Sequence, residues 1–404
     1  MASAAHHLIG GSTTATETTA PSPRTGAEPL SRTGAEPLSR TGMEKFALLC
    51  DAVAHIHAGR PAQARPALET LQKLIGPEVR PQDAAYELYR AALVNRVEEH
   101  GSPSETNLYT QAYDQPQIDL YYLLTTYLPF MDTSRVVNEL LAGQVGAADD
   151  FALLSVGIGH GRQESALLHS LAAGNPGLRH CTVIGVDPDR ESLATAERTL
   201  RQATAEHGVD LDFLPVAKVA EELDDDDWMS LSRIDVPLVV NASLALHHMQ
   251  DPSPGHDARD EFFQRLRMLV PCGVVLNEFD TDHHEVSFPQ RFFNSWRFFG
   301  TILRAIEAAP ATRQEKDHMK TFFAREIMNI VGSRTDDQRF ERHEAAATWI
   351  NRLRRCGFEP YGDAPGLSVP SLPADFTVRV LPEQVRLGYR DATVCSVIGA
   401  RPAG

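Results

Sequence analysis

Three glycines stand within five residues, at Gly157, Gly159 and Gly161, directly after the apolar run FALLSV. Glycine lets a chain turn sharply after a strand, lets a ligand approach the backbone closely, and lets the next helix pack tightly. A second apolar run, CTVIGV, ends in Asp187. A carboxylate at that place can accept hydrogen bonds from both hydroxyls of a ribose. The dinucleotide pattern G-x-G-x-x-G/A fails in either register, because Arg162 and Glu164 occupy the final position. The loop offers no Lys followed by Ser or Thr, so it is not a P-loop.

Polar groups also gather at the ends of later apolar runs. VPLVVNAS carries Asn241 and leads into LALHHM with His247 and His248. CGVVLNEF carries Glu278 and leads into DTDHH with Asp280, Asp282, His283 and His284. Carboxylates and imidazoles on one rim suit proton transfer. His248 and Glu278 are the first candidates for a general base, with His247 and His283 behind them. ERHE, with Glu341, Arg342, His343 and Glu344, reads better as ion pairs tying a helix to the core. Asp282, His283 and His284 are set aside as metal ligands, since neighbours at a strand end point to opposite sides. No metal is expected.

The elements that must hold these residues follow from periodicity. From Glu44 to about Gly143 apolar residues recur at helical steps, as in Phe46, Leu49, Cys50, Val53 and Ile56. Gly59-Arg60-Pro61 and Gly76-Pro77 break the run, a third helix spans Ala84–Val97, and Thr133 or Ser134 caps a last one closed by Gly143. From Phe151 onward apolar strands alternate with helices, which predicts a parallel sheet with helices on both faces. Helical patterning returns over 285–350, then HEAAATWINRLRRCGF, a short strand, an irregular stretch and a last strand, ATVCSVIGA. Residues 1–43 hold the repeat RTGAEPLS twice and are too polar to offset their chain entropy, so they read as a disordered tail. The expected division is thus 1–43 tail, 44–148 helical cap and 149–404 α/β core with the helical insertion 285–350. Tyr113, Tyr121, Tyr122, Tyr127 and Phe130 of the cap are candidates to line an apolar pocket.

Fifty-four acidic residues against 38 Lys plus Arg give a formal charge of -16. That balance argues against non-specific nucleic-acid binding. The five scattered cysteines form no Cys-x-x-Cys pair, and the opening residues lack a signal-peptide pattern, so a cytoplasmic setting is expected. No apolar run approaches the roughly 20 residues of a membrane span, so no membrane partner is expected. A homodimer is compatible with the sequence.

The tight G-x-G-x-G spacing resembles the loop of class I methyltransferases, which cradles methionine and ribose. The expected cofactor is therefore S-adenosylmethionine, held by Ser155, Gly157, Gly159, Gly161, Asp187 and Asn241. Four longer segments resemble the GRAS family, known as plant transcriptional regulators and also present in bacteria. They are FALLCDAVAHIHAGRPAQA, VVNASLALHHM, NEFDTDHHEVSFPQRF and REIMNIVGSRTDDQRFERHEAAATWINRLRRCGF, in family order over about residues 44–400. The family's V-H-I-I-D strand end reads ALLSVGIGHG here, with Ser155 in place of the acid and Gly159 added. The resemblance implies a Rossmann-like methyltransferase fold with a helical cap, and a bacterial-type, enzymatic member. The function expected is methyl transfer from S-adenosylmethionine to oxygen or nitrogen of a small organic substrate. The alternative is a non-catalytic regulatory or ligand-binding interaction protein.

Overall fold

The computed structural model describes residues 39–98, 108–109, 113–253, 255–362, 367 and 372–404. Five helices come first: α1 (Arg40–His57), α2 (Pro61–Ile75), α3 (Ala84–Val97), α4 (Gln117–Tyr127) and α5 (Ser134–Val145). The expected tail lies outside the described residues up to position 38, but its last residues do not. Ser39 accepts from the Gly42 N–H and starts α1 at Arg40. The predicted cap of α5 also differs. Thr133 Oγ1 accepts from Asn277 Nδ2 at 2.7 Å, and the helix runs past Gly143 to Gly146 at φ +61°. Lys45 and Asp83 form a buried ion pair of 2.6 Å that joins α1 to the start of α3.

The sheet elements follow: β1 (Asp150–Val156), α6 (Arg162–Gly174), β2 (His180–Val186), α7 (Arg190–Ala205), β3 (Asp210–Val216), α8 (Asp225–Leu231), β4 (Leu238–Ser243), α9 (Ala258–Met268) and β5 (Gly273–Phe279). α10 (Phe288–Ala308), α11 (Arg313–Ile327) and a π-helical turn (Met328–Gly332) fill the insertion. α12 (Ala346–Arg355), β6 (Phe358–Pro360), β7 (Phe376–Leu381), β8 (Gln384–Tyr389) and β9 (Ala392–Pro402) complete the chain. The strand order is β3-β2-β1-β4-β5-β9-β8-β7, with β6 beside β9. β3 through β5 are parallel, and β9 runs antiparallel to β5.

Alternation along β1 shows how both faces are covered. Phe151 and Leu153 enter a core shared with α1 to α7, α10 and α11. Ala152, Leu154 and Val156 enter a second core under α8, α9 and α12, built on Phe262, Phe263 and Trp349. The helical cap and the sheet therefore share one of the two cores. The stretch read as irregular contains the β7–β8 hairpin, and the helix read from HEAAA begins only at Ala346. Among the described residues no helix is long and apolar enough to cross a membrane.

Candidate functional site

A cleft of about 390 Å³ opens beyond the carboxyl ends of the parallel strands, where ligands bind in sheets of this kind. The β1–α6 turn forms its floor. Gly157 and Gly159 have φ of +74° and +53°, in the left-handed region that favours glycine. A Cβ on Gly157 would lie 2.7 Å from Ala245 Cβ, so that glycine is required by the turn after β4. A Cβ on Gly159 would lie 3.2 Å from Ile118 Cδ1 and 3.4 Å from the Tyr122 hydroxyl. The glycine loop is thus roofed by α4. Tyr122 OH accepts from the His160 N–H at 3.1 Å, and the Arg162 guanidinium lies 3.7 Å from the Tyr122 ring centroid.

Asp187 stands on the cleft wall at the end of β2. Its Oδ2 accepts from the Gly159 N–H at 3.0 Å and its Oδ1 from the Asp189 N–H at 2.9 Å. Burial raises its pKa, partly offset by these two donors. Each oxygen keeps a further lone pair for a ligand hydroxyl. Asn241 also lines the cleft.

Two expected binding residues do not line the cleft. Ser155 is fully buried and donates to Glu164 Oε1 at 2.6 Å, because the strand alternation aims it at α6. Gly161 serves helix packing, since its Cβ would lie 3.1 Å from the Ala196 backbone in α7. Glu164 was missed by sequence reasoning. It borders the cleft, receives Ser155 Oγ–H and Asn241 Nδ2–H, and has its pKa raised by burial. Its only signal was its place in the first turn of the helix after the glycines. Of the aromatic candidates, Tyr121 and Tyr122 line the cleft. Tyr127 instead bonds Glu315 at 2.7 Å, Phe130 packs on Phe376, and Tyr113 lies under Arg325.

Behind the cleft the four acid/base candidates separate. His248 alone lines it. Glu278, His247 and His283 lie in the interior. Glu278 accepts from His247 Nδ1 at 2.5 Å and from the Leu246 N–H at 2.9 Å. His283 Nδ1 meets His343 Nδ1 at 2.9 Å, and its ring stacks on Phe299. His284 points the other way, to Glu344 at 2.8 Å. Asn329 Oδ1 in the π-helical turn accepts from the Phe340 and Glu341 N–H groups at 2.9 Å each, while the Arg342 N–H donates to His247 O at 3.0 Å. These bonds bring Glu341 and His343 against His247. Burial would lower the His247 pKa, but the Glu278 and Glu341 carboxylates outweigh it and raise it to about 10. Burial lowers His283 to about 3 and also holds His343 below its ordinary range.

The GRAS domain family model matches residues 46–365. SCARECROW-LIKE protein 7 of Oryza sativa is 28% identical over 59% of this chain and 43% of that protein. GRAS family protein RAD1 of Lotus japonicus is 32% identical over 51% of this chain and 40% of that protein. The chain thus spans about two fifths of the length of either relative. The crystal structure of SCL7 from Oryza sativa superposes with a TM-score of 0.74 at 20% identity, covering 90% of this chain and 100% of that one. These findings overturn the expectation of a methyltransferase acting on a small organic substrate. The named relatives are GRAS, SCARECROW-like and DELLA proteins rather than enzymes. Methyltransferase structures align at TM-scores of 0.33 and 0.32, too low to carry an argument. The acid/base roles given to His248, Glu278, His247 and His283 fall with the enzyme reading. The burial of the last three is the physical reason: no substrate in the cleft reaches them.

Proposed function

Since this chain belongs to the GRAS domain family, we propose that it is a regulatory interaction protein whose sheet-end cleft binds S-adenosylmethionine as a ligand. The observation that carries the ligand is Asp187, set on the cleft wall and tied to Gly159 directly beneath α4. The ribose hydroxyls would donate to Asp187, the methionine end would follow the Gly157–Gly159 turn, and Asn241 would face it from β4. Ligand occupancy would then bear on α4 through Tyr122, which already grips the loop at the His160 N–H. The start of α4 is clamped in turn to α11, where Arg325 donates to Gln117 Oε1 at 2.9 Å and to Gln115 O at 3.0 Å. A partner protein touching the cap would sense that occupancy as a change in the population of one cap arrangement.

The same reading takes the sheet as a Rossmann-like methyltransferase sheet kept for binding, supported by its strand order and its antiparallel closing strand. It takes the chain as a bacterial-type member, supported by a loop richer in glycine than the plant pattern. A cytoplasmic setting agrees with five unpaired cysteines. Hydrogen exchange on the full chain, with and without S-adenosylmethionine, tests the proposal. Protection should rise at the β1–α6 turn and across α4. Binding that leaves α4 exchange unchanged would remove the link between ligand and cap.

A further inference from the structure

We infer that His247, Glu341 and His343 form a buried site for a divalent first-row transition cation of the zinc type. The inference is independent of what the cleft binds.

His247, Glu341 and His343 each offer a ligand atom, and the three atoms lie within 4.8 Å of one another. Glu341 Oε2 stands 3.4 Å from His247 Nε2 and 3.7 Å from His343 Nε2. A charge-assisted hydrogen bond would bring such atoms to about 2.7–2.9 Å. Ligands around a tetrahedral zinc at bond lengths near 2.0–2.2 Å are instead about 3.3–3.6 Å apart. The 3.4 Å spacing falls in that range and the 3.7 Å spacing lies just beyond it. Among the described residues both Glu341 oxygens and His343 Nε2 are buried with no hydrogen-bond partner, although buried polar groups are almost always paired. All three side chains are at most 3% exposed.

The surroundings orient the rings for coordination. Glu278 holds His247 by Nδ1, which leaves Nε2 to face Glu341. This is the carboxylate–histidine arrangement that supports metal-bound imidazoles. His343 is held by Nδ1 against His283 Nδ1. When His343 donates that proton, its Nε2 lone pair turns towards Glu341. A cation entering here displaces the His247 Nε2 proton to solvent, so the net charge of the group rises by one. His248 Nδ1, 3.4 Å from Glu341 Oε1, stands between this group and the cleft. Two histidines and one carboxylate suit zinc or a similar borderline cation, and not calcium or magnesium, which take oxygen.

The test uses the full chain, stripped with a chelator and dialysed. Co²⁺ is titrated in while visible absorption is followed, and Zn²⁺ is titrated by calorimetry. The expected result is one saturating equivalent of either metal, a ligand-field spectrum of a low-coordinate nitrogen–oxygen site, and a higher Tm with Zn²⁺. His343→Ala and Glu341→Gln should abolish the spectrum. Glu278→Gln should weaken binding by about 10–100-fold without removing the site. His256→Ala, at the surface, should change nothing. Because loss of a buried side chain can unfold the chain, the wild-type titration stands alone as the deciding measurement. A stripped, folded wild type that takes up no Co²⁺, or that keeps its spectrum in His343→Ala, overturns the inference.

Discussion

Glu341 and Glu344 are three residues apart, both buried, and their surroundings are opposite. Glu344 is saturated: Arg352 donates to its oxygens at 2.6 and 2.7 Å, and His284 Nδ1 lies at 2.8 Å. Arg352 is bonded in turn to Asp257 and Asp260. Burial alone would raise the Glu344 pKa, but His284 and Arg352 hold it down at about 2. Glu341 accepts no hydrogen bond at either oxygen among the described residues. The saturated carboxylate pins α12 to α9, which is a structural role. The unsaturated one faces three imidazoles, of His247, His248 and His343, at 3.4–3.7 Å, which is the mark of a site.

The largest effect should come from breaking the saturated side. Glu344→Gln leaves Arg352 and Arg259 short of a buried partner and should cost about 3–5 kcal/mol, read as a fall in denaturant midpoint. A change below about 1 kcal/mol would move Glu344 out of the scaffold.

The cap offers an intermediate case. Asp83 is buried, and Lys45 and Arg80 outweigh that burial and hold its pKa below the ordinary carboxylate range. Its folded pKa is thus below its unfolded one. The stabilisation is complete above the unfolded pKa and disappears as pH falls through the folded value. Asp83→Asn should cost about 1.5–3 kcal/mol at neutral pH, with the difference from wild type shrinking in acid. A difference independent of pH would mean that the pair contributes shape and not charge.

The smallest effect belongs to the unsaturated side. Glu341→Gln in metal-stripped protein should also cost stability, but less than Glu344→Gln, since it removes a charge 3.4 Å from the His247 and His248 rings while breaking no short hydrogen bond. A loss as large as that for Glu344→Gln would show both carboxylates to be scaffold.

Much of this architecture was legible in the residues. The glycine turn, the acid after β2 and the alternation of strands and helices all come from local signals, and each stands where expected. Ser155 did not, because one step along a strand turns a side chain to the other face. The β7–β8 hairpin was missed although FTVRVL carries the alternation of a half-exposed strand, because the Pro- and Gly-containing run before it reads as irregular chain. Glu341 was placed in a structural ion pair by its neighbours in ERHE. Its real setting depends on Asn329 and on the His247 backbone, contacts distant in sequence that no local pattern announces.

The central claim is that the cleft is a ligand-binding site with Asp187 as its anchor. Calorimetric titration of S-adenosylmethionine into the full chain and into Asp187→Ala tests it most directly. Loss of hydrogen bonds to a charged group is worth about 1.5–3 kcal/mol, so affinity should fall by roughly tenfold to a hundredfold in the variant. Saturable binding by the wild type with that loss supports the account. No binding by the wild type, or equal binding by both proteins, contradicts it.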